Sequence, residues 1–244
     1  RLPHPAALSA IMADTIAAQL TGQITAWDRF LDSFFKLSVM SKYLPDIVDG
    51  FLLTSYLALE IVVTGLTLGL VLALIRTYNF WPTSLLIVIF ADVMRALPPL
   101  VFGLPGVGIS LSGFAVTWLT LSLVLAAFSE EIFRAGIIAV PKGQWEAARS
   151  TGLGFGQALW FVVIPQAIRL TVPPLTNRTI GITKNTALGT VVGVGEILNK
   201  ATTGQSFSGN ASPLVLGALA YLILFVPVVI FGRWIETRFA WKKV

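Results

Sequence analysis

From Phe51 to Ile75 the chain carries one charged residue, Glu60. As an α-helix a stretch of that length rises about 37 Å, more than the ~30 Å hydrocarbon core of a bilayer. In water such a helix would need protein on every side, whereas a bilayer covers it and leaves its backbone hydrogen bonds internal. The pattern recurs at Thr83–Gly103, Ser112–Ile138, Gln157–Ile180 and Pro213–Gly232, and no charge occurs between Ala96 and Ser129. Over all 244 residues 55% are hydrophobic and 12% charged, with a mean hydropathy of +0.81. Soluble domains carry about 25% charged residues. The chain therefore reads as an all-α integral membrane protein with five spans.

The net charge of +5 does not indicate nucleic acid, because the basic residues are scattered around apolar runs and form no stripe with interleaved aromatics. A basic excess in a membrane protein reflects its cytoplasmic loops. With no cysteine, the chain has no disulfide, thiolate metal site or thiol nucleophile. One histidine, His4, lies near the start, far from any group that would make it a metal ligand or triad member. The sequence opens on Arg1 rather than Met, as expected if an upstream piece is missing. Residues 1–50 lack the pattern of a secretory signal.

Residues 1–46 read as an N-terminal extension and 47–240 as the membrane domain, with 241–244 a basic tail. Within the extension, Trp27–Val39 alternates apolar and charged residues as an amphipathic surface helix or a packed extracytoplasmic helix would. Tyr78, Phe80 and Trp81 form an interfacial aromatic cluster after the first span. Gln157–Ile180 contains Pro165, Pro173, Pro174, Arg169 and Arg178, which suits a kinked helix lining a protein-bounded cavity. Gly181–Lys200 is short for a span and reads as a re-entrant or outer-side element, with Gly204–Ser212 a polar loop. Arg76, Lys142, Arg149 and the basic C-terminus fall on one side of a five-span chain, which the positive-inside rule makes cytoplasmic. Lys36, Lys42, Lys184 and Lys200 fall on the other side and oppose that assignment.

Between the third and fourth spans lies a polar island, Gly143-Gln144-Trp145-Glu146-Ala147-Ala148-Arg149-Ser150-Thr151-Gly152, followed by Val162-Val163-Ile164-Pro165. It reads as a short helix over about 143–151, stopped by Gly152, Gly154 and Gly156. It resembles the EAA loop of binding-protein-dependent ABC importers, Glu-Ala-Ala-x-x-x-Gly followed by Ile-x-Leu-Pro. Glu146, Ala147, Ala148, Gly152 and Pro165 match in type and spacing; Val162 and Ile164 stand in for Ile and Leu. The alanines would let a partner's backbone approach, Glu146 and Arg149 would offer it charged contacts, and Gly152 would end the helix.

Further segments resemble the polar amino-acid uptake branch of these permeases. Arg95-Ala96-Leu97-Pro98-Pro99-Leu100 is similar to its Arg-Gly-Thr-Pro-Leu, and Glu131-Ile132-Phe133-Arg134-Ala135-Gly136-Ile137 to its Glu-Ile-x-Arg-Gly-Gly-Ile. Pro165-Gln166-Ala167 through Pro173-Pro174-Leu175-Thr176-Asn177 also matches. Lys184-Asn185-Thr186-Ala187-Leu188 is close to its Lys-Asp-Thr-Ser-Leu, departing at Asn185 and Ala187. The resemblance implies a five-span type I importer membrane domain with a cytoplasmic coupling helix in a bacterial inner membrane. It also implies the transport subunit of an amino-acid importer, forming half of the path. Partners would be an ATP-binding-cassette ATPase dimer carrying ATP and magnesium, a second permease (the same chain or a homologue) and an extracytoplasmic amino-acid-binding protein.

An amino acid in transit carries two charges that hydrocarbon does not tolerate, so intramembrane polar groups are its candidate contacts. These are Asp92, Arg95, Glu130, Glu131, Arg134, Arg169, Arg178, Lys184 and Asn185. The spacing of Asp92 and Arg95, and of Glu131 and Arg134, also suits simple ion pairs on one helix face, and interfacial snorkelling is the alternative for the two arginines of the fourth span. No phosphate-loop sequence, nucleophile constellation or metal cluster is present. A channel or secondary transporter would lack a reason for the island at 141–156, and a membrane enzyme would need the nucleophile or metal constellation that is missing.

Overall fold

The computed structural model describes residues 26–96 and 111–239, which are helical throughout apart from short connections. In chain order the helices are α1 (Ala26–Phe34), α2 (Leu37–Thr77), α3 (Trp81–Ala96), α4 (Gly113–Ala139) and α5 (Lys142–Ser150). There follow α6 (Phe155–Ala158), a π turn (Leu159–Val163), α7 (Ile164–Lys184), a 3-10 segment (Asn185–Val192), α8 (Ile197–Ser208) and α9 (Ser212–Phe239). Among the described residues four stretches are long and apolar enough to cross a bilayer: Trp27–Thr77, Gly113–Ala139, Phe155–Val192 and Ser212–Arg238. The second expected span is represented by α3; its expected continuation, with Leu97-Pro98-Pro99, lies outside the described residues, as do residues 1–25 and the basic tail.

The centre of the bundle is the contact of α2 with α4. Along α2 the buried residues Gly50, Thr54, Leu57, Ile61, Gly65, Gly69 and Ala73 recur every three or four positions, so they form one stripe. The opposite faces expose Leu52, Leu59 and Val63, as lipid contact allows. Two glycines bring the backbones together: a Cβ at Gly69 would lie 2.6 Å from Ser129 Cβ and 2.8 Å from the Ala126 carbonyl oxygen, and one at Gly65 would lie 2.8 Å from Leu125. Lipid tails are as apolar as leucine, so association here rests on such close packing and on hydrogen bonds between helices. Thr64 Oγ1 adds the latter, pairing with Ser122 Oγ at 2.9 Å and accepting from Trp118 Nε1 at 3.2 Å. Gly69→Val is expected to destabilise the chain by about 1–3 kcal/mol through overpacking, read as a lower unfolding midpoint in detergent. An unchanged midpoint would contradict the contact.

α7 packs on α4, while α8 and α9 cover another side of α2 and α3 leans on α4. Pro165 stands one residue beyond the π turn, after Ile164. A proline has no N–H to return to the preceding turn, and the ladder widens at that place, as at other π-bulges.

The helices differ from the sequence reading at three places. The boundary placed at residue 46 falls inside α2, which runs unbroken from Leu37 through Pro45. The amphipathic segment Trp27–Val39 divides into α1 and the start of α2, because the break at Phe35 and Lys36 is fastened elsewhere. There the Lys36 amide donates to Ser212 Oγ at 2.9 Å and the Ala211 amide to the Ser33 carbonyl at 2.9 Å. The polar run from Gly204 is the end of a helix rather than a loop as far as Ser208. Its hydroxyls bond backward, Ser206 to the Thr202 carbonyl and Ser208 to that of Gly204, so polar side chains cover a regular helix. The fully buried Glu196 caps that helix, its carboxylate accepting from the Leu198 and Asn199 amides and from Tyr221 Oη at 2.5 Å.

Candidate functional site

α5 is amphipathic in a restricted sense. Ala148 is buried and Trp145 half-buried against the bundle, whereas Gln144, Glu146, Ala147 and Arg149 are exposed. The Trp145 ring stacks on Phe155 at 5.3 Å, and Tyr78, at the end of α2, meets Phe155 edge-on at 5.5 Å. Trp145 also rests on the core of Ile137, Val140, Leu159 and Val163. Gln166 Nε2 on α7 donates to Gln144 Oε1 at 3.3 Å. Gly152 ends the helix with φ +88°, which favours glycine. Its amide donates to the Arg149 carbonyl and the Leu153 amide to that of Ala148, closing the last turn. Ala147 is thus free for a partner, but Ala148 is not: its small side chain serves packing within the chain. A force on the exposed face of α5 would pass directly to the ends of α2 and α4 and to the π turn.

One end of α4 carries two charge sites on different faces. Arg76 Nη1 on α2 donates to both Glu130 oxygens, at 3.0 and 3.3 Å, and the Glu130 side chain is only 1% exposed. Arg134 Nη1 donates to the Arg76 carbonyl at 3.4 Å. On the other side Arg95 bridges Asp92, at 2.6 Å, and Glu131. The phenyl ring of Phe128 lies beneath the Arg178 guanidinium, 3.1 Å from Cζ to the ring centroid, with Arg95 Cζ 6.0 Å from the same ring. The Arg178 Nε is buried without a hydrogen-bond partner. Asp92 and Glu131 are 63% and 61% exposed, although Glu131 lies about 12 Å from the nearer end of its helix.

The chain as a whole resembles known proteins. The family profile described as "Binding-protein-dependent transport system inner membrane component" matches residues 65–241. The chain belongs to that family. A Bacillus subtilis protein described as a probable glutamine ABC transporter permease is 34% identical over 81% of this chain and 95% of its own length. The arginine transport system permease protein of the same organism is 32% identical over 80% and 93%. The crystal structure of an amino acid ABC transporter with histidines superposes with a TM-score of 0.74 at 32% identity, covering 82% of this chain and 96% of that one. The MetNI methionine ABC transporter in an inward-facing form shares the fold at 18% identity, with a TM-score of 0.63 over 80% and 96%. This chain is accordingly the multi-pass inner-membrane permease subunit of an ABC importer, with the type I membrane fold.

In the permease the expected charge pairs are partly redistributed. Asp92 and Arg95 do pair, but Glu131 joins them and leaves Arg134 to the Arg76 carbonyl, so Glu131 and Arg134 are not partners. Glu130 is committed to Arg76, a residue the sequence marks only as the end of a span. Arg169 is exposed and has no ion pair among the described residues. It stands nine positions from Arg178, two and a half turns of a regular helix, so the two face opposite ways. Lys184, exposed, and Asn185, half-buried, lie beyond Arg178 at the start of the 3-10 segment, with no hydrogen bond to the cluster. Phe128 is invisible to sequence reasoning as a site residue, because an aromatic in an apolar span carries no mark of its role.

Proposed function

We propose that the permease forms half of the translocation path of an amino-acid importer, with Asp92, Arg95, Glu131 and Arg178 meeting the substrate. The observation that carries the reading is the unpartnered Nε of Arg178, stacked on the Phe128 ring that Arg95 also approaches, Arg95 in turn holding two exposed carboxylates. Leaving a buried charged donor unsatisfied costs about 1–3 kcal/mol or more, and a substrate carboxylate reaching Arg178 would relieve it. The substrate ammonium would fit Asp92 and Glu131, whose present partner Arg95 divides its donors between them. Exposed carboxylates at this depth are costly in lipid, which supports a second permease, the same chain or a homologue, closing a wet path on that face.

The exposed face of α5, with Gln144, Trp145 at its edge, Glu146, Ala147 and Arg149, docks on a separate ATP-binding-cassette ATPase, whose dimer hydrolyses ATP with magnesium. That end of the bundle is cytoplasmic, as is the C-terminus, and an extracytoplasmic binding protein delivers the amino acid. Arg178→Ala is expected to reduce uptake by reconstituted transporter about tenfold, since removing one charged interaction worth about 1.4 kcal/mol changes binding by that factor. It should also abolish discrimination between an amino acid and its carboxamide. Equal loss for both compounds, with discrimination intact, would remove Arg178 from the path.

A further inference from the structure

A cleft of about 390 Å³ opens where the end of α2, the end of α4 and α5 meet, lined by Arg76, Arg134, Lys142, Asn79, Trp145 and Phe155 among others. It is strongly basic. Three cations face it, and among the described residues the one carboxylate paired with any of them is Glu130, buried and held by Arg76. Among the described residues neither Arg134 nor Lys142 has an ion pair, and Lys142 is exposed. The surroundings are those of a membrane interface. Tyr78, Phe80 and Trp81 are exposed beside the cleft at 58%, 63% and 75%, and the lining Ile138 exposes 66% of its surface. Aromatic rings gather at headgroup depth, and an exposed isoleucine at the rim of a basic cleft suits an acyl chain descending from a bound headgroup.

We propose that this cleft binds the phosphate headgroup of an anionic phospholipid. The phosphate lies between Arg134 and Lys142, the glycerol end lies toward Asn79, and the acyl chains pass Ile138. Basic pockets between spans on the cytoplasmic side hold anionic headgroups by this combination of charge and apolar contact. One molecule would then touch α2, α4 and α5 together and stiffen the seat of the coupling helix. The inference rests on the reading of α5 as the coupling helix at the cytoplasmic end of the bundle, and not on the choice of substrate.

The test is native mass spectrometry of the purified transporter with added phosphatidylglycerol or phosphatidylcholine. Retained phosphatidylglycerol should exceed phosphatidylcholine, and Lys142→Ala and Arg134→Gln should each lower its occupancy about fivefold, the effect of one basic residue near a charged headgroup. Lys142→Arg should restore it, and inorganic phosphate should not displace it. Lys142 is exposed, so its variants remain informative even if Arg134→Gln does not fold. Equal retention of the two lipids, or unchanged occupancy in Lys142→Ala, overturns the proposal. Displacement by inorganic phosphate would assign the cleft to a free anion instead. If Lys142→Ala loses the ATPase while retaining phosphatidylglycerol, the cleft serves the protein partner and the lipid assignment is wrong. Uptake of any amino acid is not the readout, so failure here is distinct from failure of the substrate assignment.

Discussion

Glu146→Lys is expected to reduce uptake on the order of a hundredfold while the permease remains inserted and folded. The two halves of that expectation come from one observation. Glu146 is exposed on α5, so the substitution removes little from the fold, and surface changes of this kind stay within about 0.5 kcal/mol. A charge reversed inside a docking contact is different, because truncating one partner of a buried charged contact costs about 2–5 kcal/mol and reversal adds repulsion. The checks are uptake by proteoliposomes and the unfolding midpoint of the variant. Normal uptake with a normal midpoint would refute the docking role of α5. Loss of both would show that Glu146 supports the fold, which its exposure contradicts.

Glu130→Ala is expected to act on stability with similar force. Its carboxylate is buried and both oxygens accept from Arg76. Removing one member of a buried ion pair leaves the other uncompensated and costs about 3–5 kcal/mol. Arg76 is partly exposed, at 22%, so relaxation toward the cleft places the expected loss at the lower end of that range. The measurement is denaturant or thermal unfolding of the purified chain, with the double variant Glu130→Ala/Arg76→Ala alongside. The double variant should be less destabilised than the sum of the singles, since the two residues share one interaction. Strict additivity would mean that the pair seen between α2 and α4 contributes nothing.

The sequence is most informative where a property repeats along one helix or is confined to one short segment. Spans one and three are legible because a bilayer imposes length and apolarity, and α5 is legible to within a residue at each end because Gly152 is both a chemical and a conformational stop. The pairing of Arg76 with Glu130 is not, since the residues are 54 positions apart and meet through the packing of Gly65 and Gly69 and the hydrogen bonds of Thr64 across the two helices. The same limit hides the partner of Arg134, whose spacing from Glu131 suits a pair that Arg95, on another helix, outcompetes. Ala148 shows a subtler failure. Two adjacent small residues look alike in a sequence, but neighbouring positions on a helix point about 100° apart, so one faces the bundle and the other faces outward. The run from Gly204 to Ser208 reads as loop because Ser and Gly favour turns. The Glu196 cap, itself held by Tyr221 from another helix, and the backward hydroxyl bonds keep it helical.

The central claim is that the outward face of α5 is where the permease receives the work of ATP hydrolysis, and a single introduced thiol tests it. The chain has no cysteine, so Ala147→Cys, at an exposed position on α5, creates a unique reactive site. Membranes that sustain uptake would be treated with a short thiol-to-amine cross-linker, and the product identified by mass spectrometry, with Leu52→Cys on the exposed apolar face of α2 as the control. The account predicts a product joining the thiol of the Ala147→Cys variant to an ATP-binding-cassette ATPase, and none from the Leu52→Cys variant. Absence of that product from actively transporting membranes, or its equal formation from both variants, would contradict it.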